Sequence, residues 1–358
     1  MARGRYITGG FTFVSEDKLQ RDLGRNTARP GDIIFTQRGT LGQVALVPKG
    51  EYETFVVSQS QMRLRVDPVV ADARYIYYAS TTDDFLRQIT ERAISTGVPH
   101  INLGILAELE VPLPSIAEQQ AIVEVLGVLD DKIAANIAIA ATADRYLATL
   151  LEDLLDEASG TVSLGSIAAV NELAVKPNPG GQLRYVDIAS VGVGTFEYPD
   201  VSDWDQAPGR ARRALRRGDT IWSTVRPNRR SHALNLADDP LLVASTGLAV
   251  LTPTRAGFAY LYEVTKRPGF TAYLETVAEG SAYPAVRAER FLSAPVPAIS
   301  SARAETFEAI AAPLREAVFA AFEENRTLTV TRDTLLPQLM SGDFRVRDAE
   351  KVATDAGA

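Results

Sequence analysis

Landmarks that return at a nearly fixed interval constrain this chain most, because a repeat dictates that one structural unit is built more than once. Gly31-Asp32 matches Gly218-Asp219 at an offset of 187 residues. Ser58, opening SQSQMRLRVDP, matches Ser245, opening STGLAVLTP, at the same offset. RYIYYAST near 74 resembles AYLYEVTK near 259, and VPLP at 111 answers APVP at 294. TLLEDLL at 149 then answers TLLPQLM at 334, at an offset of 185. Five landmarks keep their order and nearly their spacing, so one unit of about 185 residues is present twice. The second copy opens with SLGSIAAVNELAVKPNPGGQLRYVDIA, residues 163 to 189, whereas by offset Met1 falls opposite Ile188. Either the first copy lacks its opening strand and loop, or the true start lies upstream.

Each copy divides into a mixed front and a helical back. IIFT, VALV, FVVSQS and MRLRV are short β-rich runs bounded by Gly, Pro or charge. DDFLRQI and the tyrosine-rich stretch before it read as helix. After Pro114 the apolar or small residues Ile122, Leu126, Leu129, Ile133, Asn136, Ala140, Ala143, Leu147, Leu150 and Leu154 recur in alternating steps of four and three. That is a heptad seam. The second copy supplies Phe307, Leu314, Val318, Ala321, Leu328, Leu335 and Leu339 at the same period. A helix of about 40 residues spans roughly 60 Å, more than a small domain needs inside itself, so the two rods are expected to pair. Asn136 reads either as a register-setting polar residue or as an imperfection of the stripe. Pro337 is expected to kink or end the second rod.

Composition narrows the chemistry. The chain has no cysteine and only two histidines, His100 and His232. Disulfides, thiolate metal sites and a His-rich metal centre are thereby excluded. Without a leader or an apolar run of about 20 residues, the expectation is a soluble cytoplasmic protein. The net charge of −8 hides a segregation. Residues 210 to 230 hold eight arginines against Asp219, while residues 116 to 157 hold nine acids against Lys132 and Arg145.

No catalytic constellation is legible. There is no phosphate loop, and Gly192-Val193-Gly194 lacks the third glycine and the following helix of a dinucleotide site. No Asn-Pro-Pro-Tyr or Asp-Pro-Pro-Tyr motif for methylating a base amino group is present. Binding is better supported. Arg216 and Arg217 lead into the Gly218 strand, and Arg226, Asn228, Arg229, Arg230, Ser231 and His232 follow it. Arginine neutralises phosphate and reads guanine edges, and the polar residues beside it offer donors and acceptors to bases. The competing reading is a solvated basic loop, or arginines paired with the acidic rods. The first copy offers Gln37, Arg38 and Thr40 in its loop, with Gln59 and Arg63 nearby.

PGDIIFTQRGTLGQVALVP, then VPLPSIAEQQAIVEVLGVLDDKIAANIAI, then LLPQLMSGDF together carry a resemblance across nearly the whole chain. The sequence resembles the specificity subunit of type I restriction–modification systems. That resemblance implies an α+β fold: two mixed α/β target-recognition domains alternating with two long helices paired as an antiparallel coiled coil. The boundaries are then 1–115 for the first recognition domain, 116–158 for the central helix, 159–300 for the second domain, 301–342 for the C-terminal helix, and a flexible tail at 343–358. It implies a non-catalytic subunit that reads two halves of a double-stranded DNA target, with the helices setting the distance between them. It also implies docking of two methyltransferase subunits, which bind S-adenosylmethionine, and of restriction motor-nuclease subunits, with no cofactor or metal of its own. Leu126, Leu129, Ile133, Asn136, Leu147, Leu150, Leu154, Leu314, Val318, Leu335 and Leu339 are the coiled-coil and docking candidates. The alternatives are a methyltransferase carrying its own recognition domains, a related phage-defence specificity factor, and a coiled-coil scaffold indifferent to DNA sequence. SSARAETFEAI, which opens the second rod, departs from the family's Glu-Gln-Gln pattern.

Overall fold

A computed structural model describes residues 5–8, 11–94, 97–156, 158, 160–280 and 282–358. Its contacts divide the chain into two compact units, Met1–Asn136 with Glu323–Ala358, and Ile137–Phe322.

The first unit's early elements are α1 (Glu16–Lys18), continued by a π-helical turn over Leu19–Leu23, and β1 (Thr27–Ala28). Gly31, at φ +90°, then turns the chain into β2 (Ile33–Thr36), and the Asp32 carboxylate fixes the turn by accepting the Arg29 N–H at 2.8 Å. β2 is the centre of an antiparallel sheet between β3 (Val44–Leu46) and β5 (Gln61–Leu64), with Ile34 opposite both Ala45 and Arg63. β4 (Phe55–Val56) pairs with β1. Three helices follow, each opened by a polar side chain that caps its free N–H groups: α2 (Ala73–Ala79) by Asp72, α3 (Asp83–Arg92) by Thr82, and α4 (Leu103–Ala107) by Asn102. Ile33, Phe35, Leu46, Met62, Tyr75, Phe85 and Ile89 form the core beneath them. α5 (Ile116–Leu155) comes next, and its first half closes this core with Ile122, Leu126 and Leu129.

The second unit repeats this plan and extends it. After β6 (Thr161–Ser163) come β7 (Ala168–Val170), β8 (Gln182–Val186), β9 (Ser202–Asp203), β10 (Ala211–Ala214), β11 (Thr220–Ser223), β12 (His232–Leu234), β13 (Leu242–Ser245) and β14 (Leu248–Pro253). They form two four-stranded sheets, ordered β12-β11-β14-β7 and β10-β13-β8-β9. Helices α6 (Phe258–Lys266), α7 (Pro268–Val277) and α8 (Ala288–Leu292) follow, then β15 (Pro295–Pro297), which pairs with β6. The repeat holds down to single bonds. Tyr75 Oη donates to the Pro112 carbonyl at 2.9 Å, and Tyr260 Oη to that of Pro297 at 3.3 Å.

The second rod is α9 (Ser301–Ser341). Each unit contains one segment of α5 and one of α9, running antiparallel. In the first unit Asn136 Nδ2 donates to Glu324 Oε2 at 2.6 Å and Asn325 Oδ1 at 2.9 Å, while Arg332 meets Asp130 at 2.8 Å. In the second, Ala140 and Ala143 pack on Val318, and Leu147 and Leu151 share a core with Phe307 and Ala311. Asn136 is buried and bonded across the seam, which favours its register-setting reading over a simple imperfection. Leu150, Leu154 and Leu314 are only partly buried; Leu151 is the buried member of that turn, because a straight helix drifts against a strict heptad.

Two readings of the C-terminal part need correction. Of the two outcomes expected at Pro337, the ending is excluded, since α9 continues to Ser341. The hydrogen bond lost at Pro337 is offset by Leu335, Leu336, Leu339 and Met340, all buried in the first unit's core. Residues 343–358 are not a flexible tail either. They form α10 (Val346–Asp355), whose Ala349 and Ala353, one turn apart, are buried in the same core.

Each unit also locks its recognition fold to its helix pair through polar groups. In the first, Tyr78 Oη donates to Asp130 Oδ2 at 2.7 Å, and Asp130 also receives Arg332. In the second, Arg315 Nε donates to Glu263 Oε1 at 2.6 Å and Nη2 to Asp144 Oδ1 at 2.7 Å. Arg315 stands 185 residues after Asp130, and Glu263 185 after Tyr78. The position on the domain's own long helix is therefore an acid in one unit and a cation in the other.

Candidate nucleic-acid interface

In the second unit the loop from Thr224 to Ser231 is held by its backbone on three sides. Thr224 N–H donates to Gly247 O at 2.9 Å, Val286 N–H to Thr224 O at 2.8 Å, and Arg226 N–H to Pro284 O at 2.7 Å. Pro227–Arg229 form one 3₁₀ turn bracketed by Arg226 at φ 52° and Arg230 at φ 55°. Two arginines in the left-handed region are uncommon and persist only where the surroundings fix them. The turn thrusts Asn228 and Arg229 into solvent. The Arg226 guanidinium lies over the Tyr283 ring at 4.7 Å, and that ring is itself 70% exposed. Arg210 joins this end of the sheet, since its carbonyl accepts the Thr246 N–H at 2.9 Å, next to Gly247. The result is a rim of exposed Arg210, Asn228 and Arg229 with half-buried Arg226, beside an aromatic face on a backbone held from three sides.

The other arginines of the cluster are engaged elsewhere. Arg216 and Arg217 sit at the opposite end of β11, where Arg216 pairs with Glu172 at 3.0 Å and Arg217 with Glu316 on α9 and the Leu236 carbonyl. They carry the paired-arginine reading rather than the loop reading. Arg230 turns inward and donates to the Lys266 carbonyl at 2.9 Å, at the C-terminal end of α6. Ser231 is half-buried, its carbonyl receiving the Ser223 N–H at 2.8 Å.

His232 is a core residue, contrary to its assignment as a base contact. The β11–β12 register sets it opposite Trp222, and the two rings stack at 4.6 Å and 13°. It is 1% exposed, and its Nδ1 lies 2.6 Å from the Arg230 carbonyl, so that nitrogen carries the proton. Burial pushes its pKa down to about 4 despite that bond, which keeps it neutral.

In the first unit the matching loop follows β2. Gln37 is half-buried with its backbone spent: its N–H donates to Ser60 O at 2.8 Å and its carbonyl accepts from Ile101 at 3.1 Å. Arg38 and Thr40 are exposed around Gly39, at φ 87°. Gln59 and Arg63 are exposed as well, though Arg63 donates to the Thr27 carbonyl. Gln37, Gln59 and Arg63 line one cavity of about 340 Å³ with Arg25, Asn26 and Ser58, and Val57, Met62 and Leu103 add apolar surface to it. Arg25 and Asn26 escaped the sequence reading because they precede β1 and join the others only through the β1–β4 pairing.

The coiled-coil candidates face inward. Leu126, Leu129, Asn136, Leu147, Val318, Leu335 and Leu339 are buried, so they build the helix pair and are not free to dock a partner. The exposed apolar side chains on the long helices are others, among them Val128 and Val330 in the first unit and Ile137, Ile139, Tyr146 and Ile310 in the second. Among the described residues no helix is long and apolar enough to cross a membrane.

Residues 6–142 match the family described as the type I restriction modification DNA specificity domain. A 104-residue stretch is 28% identical to the type I restriction enzyme MjaVIII specificity subunit of Methanocaldococcus jannaschii, covering 28% of this chain and 23% of that relative. The crystal structure of a type I restriction–modification S subunit from M. genitalium superposes with a TM-score of 0.54 at 20% identity, covering 87% of this chain and 83% of that one. It shows the same fold.

Proposed function

We propose that this chain, a member of the type I restriction–modification specificity-subunit family, reads the two halves of a split DNA target through its two recognition domains. The observation that carries the reading is the rim of Arg210, Arg226, Asn228 and Arg229 on a loop whose backbone is fixed before DNA arrives. Phosphate contacts position such a protein, and only side chains presented to base edges specify sequence. Asn228 and Arg229, unpaired among the described residues and raised on a rigid turn, have the chemistry to read adenine and guanine edges in the major groove. In the first domain Gln37, Gln59 and Arg63 supply the equivalent donors around a cavity, with Arg38 exposed on the loop beside them.

Chemistry is assigned to partners. The chain serves as the reader, while methyltransferase subunits bring S-adenosylmethionine and extract the target adenine from the stack. Those subunits would meet the outward apolar residues of the long helices, and motor-nuclease subunits would join the complex they form. The deciding experiment is a long-read methylome of cells expressing the chain with its modification partner. A bipartite motif is expected, and Asn228→Ala with Arg229→Ala should change one half of it while leaving the other intact. Methylation without any split motif would remove the reading. Binding of S-adenosylmethionine by the isolated chain would point instead to a methyltransferase with its own recognition domains.

A further inference from the structure

Each unit bonds a second loop to its recognition loop, and the two second loops are built alike. In the second unit Glu279 and Ala285 exchange backbone bonds, each N–H donating to the other's carbonyl at 2.9 Å. In the first unit Ile94 and His100 do the same, at 2.9 and 3.2 Å. Ala285 also bridges to Val225, and His100 to Arg38, both antiparallel. One residue further on, Val286 N–H donates to Thr224 O at 2.8 Å and Ile101 N–H to Gln37 O at 3.1 Å. The loops match at an offset of 185, which sets Tyr283-Pro284 against Val98-Pro99.

At the matched position both units expose an apolar side chain. Tyr283 is 70% exposed and Val98 63%, and neither belongs to a buried core. The proline after each confines its backbone to extended conformations, so both side chains stand on a stiffened support. In the second unit the support is tighter still. Arg226 N–H donates to Pro284 O at 2.7 Å, and its guanidinium lies over one face of the Tyr283 ring at 4.7 Å. Glu279, the acid at the base of this loop, is paired with Arg287 at 2.9 Å, which offsets its repulsion of a phosphate backbone.

Asn228 and Arg229 follow Arg226 by two and three residues, so a groove that they enter also receives the Tyr283 ring. A major groove about 12 Å wide has room for both loops, and its base edges carry one apolar group, the thymine C5-methyl. Resting on the reader function proposed above, we propose that Tyr283 is a specificity residue. Its free ring surface packs on a thymine methyl in the half-site read by the second unit, and Val98 takes the same place in the first. Insertion of the ring between base pairs is the competing use of an exposed aromatic. Packing on a methyl is what tyrosine and valine can both do, whereas valine cannot stack on a base.

The test uses the complete chain with its modification subunits, and duplexes carrying the split motif that the methylome defines. Deoxyuridine in place of thymine, throughout the half governed by Asn228 and Arg229, removes methyl groups and nothing else. Affinity of the wild-type chain, read by fluorescence anisotropy, should fall about fourfold, the worth of one buried methyl group. Tyr283→Ala should bind the thymine duplex about as weakly and no longer tell the two duplexes apart, while Tyr283→Phe should still do so. Val98→Ser should erase the same preference in the other half. Equal wild-type binding with and without the methyls, or full discrimination kept by Tyr283→Ala, would overturn the proposal. So would a rise in 2-aminopurine fluorescence in that half with the wild-type chain but not with Tyr283→Ala, since that signals an inserted ring. A methylome without a split motif removes the reader function itself, whereas a split motif blind to the thymine methyl removes this proposal alone.

Discussion

Asp32 and Arg65 form a two-pronged ion pair, Nε to Oδ1 and Nη2 to Oδ2, each at 2.7 Å. The matching acid of the second unit, Asp219, instead receives the Thr252 hydroxyl at 2.6 Å, since Thr252 stands where the repeat has Arg65. Both carboxylates are buried, and burial acts to raise both pKa values. Around Asp32 the Arg65 fork and the Arg29 N–H outweigh it and the pKa falls; around Asp219 burial wins and the pKa rises.

Opposite acid responses follow at this one repeated position. A depressed Asp32 contributes stability that is full above the unfolded carboxylate value of about 4 and is lost as pH falls through its lower folded value. A raised Asp219 contributes stability below about 4 that is lost as pH climbs through its higher folded value. Asp32→Asn should therefore cost about 2 kcal/mol at neutral pH, with a penalty that shrinks in acid. Asp219→Asn should become relatively more favourable as pH rises from about 3 to 7. Urea titrations of both variants across that range check the two slopes.

His232 makes the second unit acid-sensitive for a different reason. Its folded pKa of about 4 lies below the unfolded value of 6.5, so the native state holds it neutral. The stability tied to that neutral ring is present above pH about 6.5 and is lost as pH falls toward its folded value, a difference of roughly 3 kcal/mol. His232→Phe preserves a ring against Trp222 and should flatten the stability profile between pH about 4 and 6.5. It should leave the recognised DNA sequence unchanged in a methylome, which a base-contacting histidine would not.

What was legible in the sequence was whatever depends on spacing along one chain. The offset of 187 located the Gly31-Asp32 and Gly218-Asp219 turns and their strands, and the four-and-three steps located both long helices. What depends on the meeting of distant elements was not. Eight neighbouring arginines look alike in a string, yet β11 separates Arg217, beside Glu316, from Arg226, over Tyr283. His232 read as polar and loop-borne because nothing local reveals that strand register will stack it on Trp222. Residues 343–358 read as a tail because the helix is short and polar on average and its fully buried residues are two alanines, although its few apolar residues share one face.

That last helix should matter to stability. Ala349 and Ala353 are buried in the first unit's core against the long helices' apolar residues. Replacing Ala349 by Asp would bury an unpaired carboxylate, at a cost of several kcal/mol unless α10 detaches. Truncation after Ser341 should lower the midpoint of the first unit's unfolding and leave that of the second unchanged. Hydrogen exchange resolved by segment would register the difference, and equal loosening of both units would count against it.

The Arg315–Glu263 pair gives the sharpest prediction, because burial and charge pull in opposite directions there. Both side chains are nearly inaccessible, and Arg315 also reaches Asp144 and lies over the Tyr262 ring at 5.0 Å. Removing one partner strands a buried charge, so Arg315→Ala should destabilise the second unit by about 3–5 kcal/mol. The cost comes from the stranded carboxylate more than from the lost attraction. Arg315→Met with Glu263→Met should therefore recover most of it, although each single substitution is severe. Lys266 tempers the rescue, since it meets Glu263 at 3.2 Å and keeps Asp144, at 2.8 Å, as its remaining partner in the double variant. A double-mutant cycle by urea denaturation measures the coupling, and losses that simply add would show that the two charges do not depend on each other.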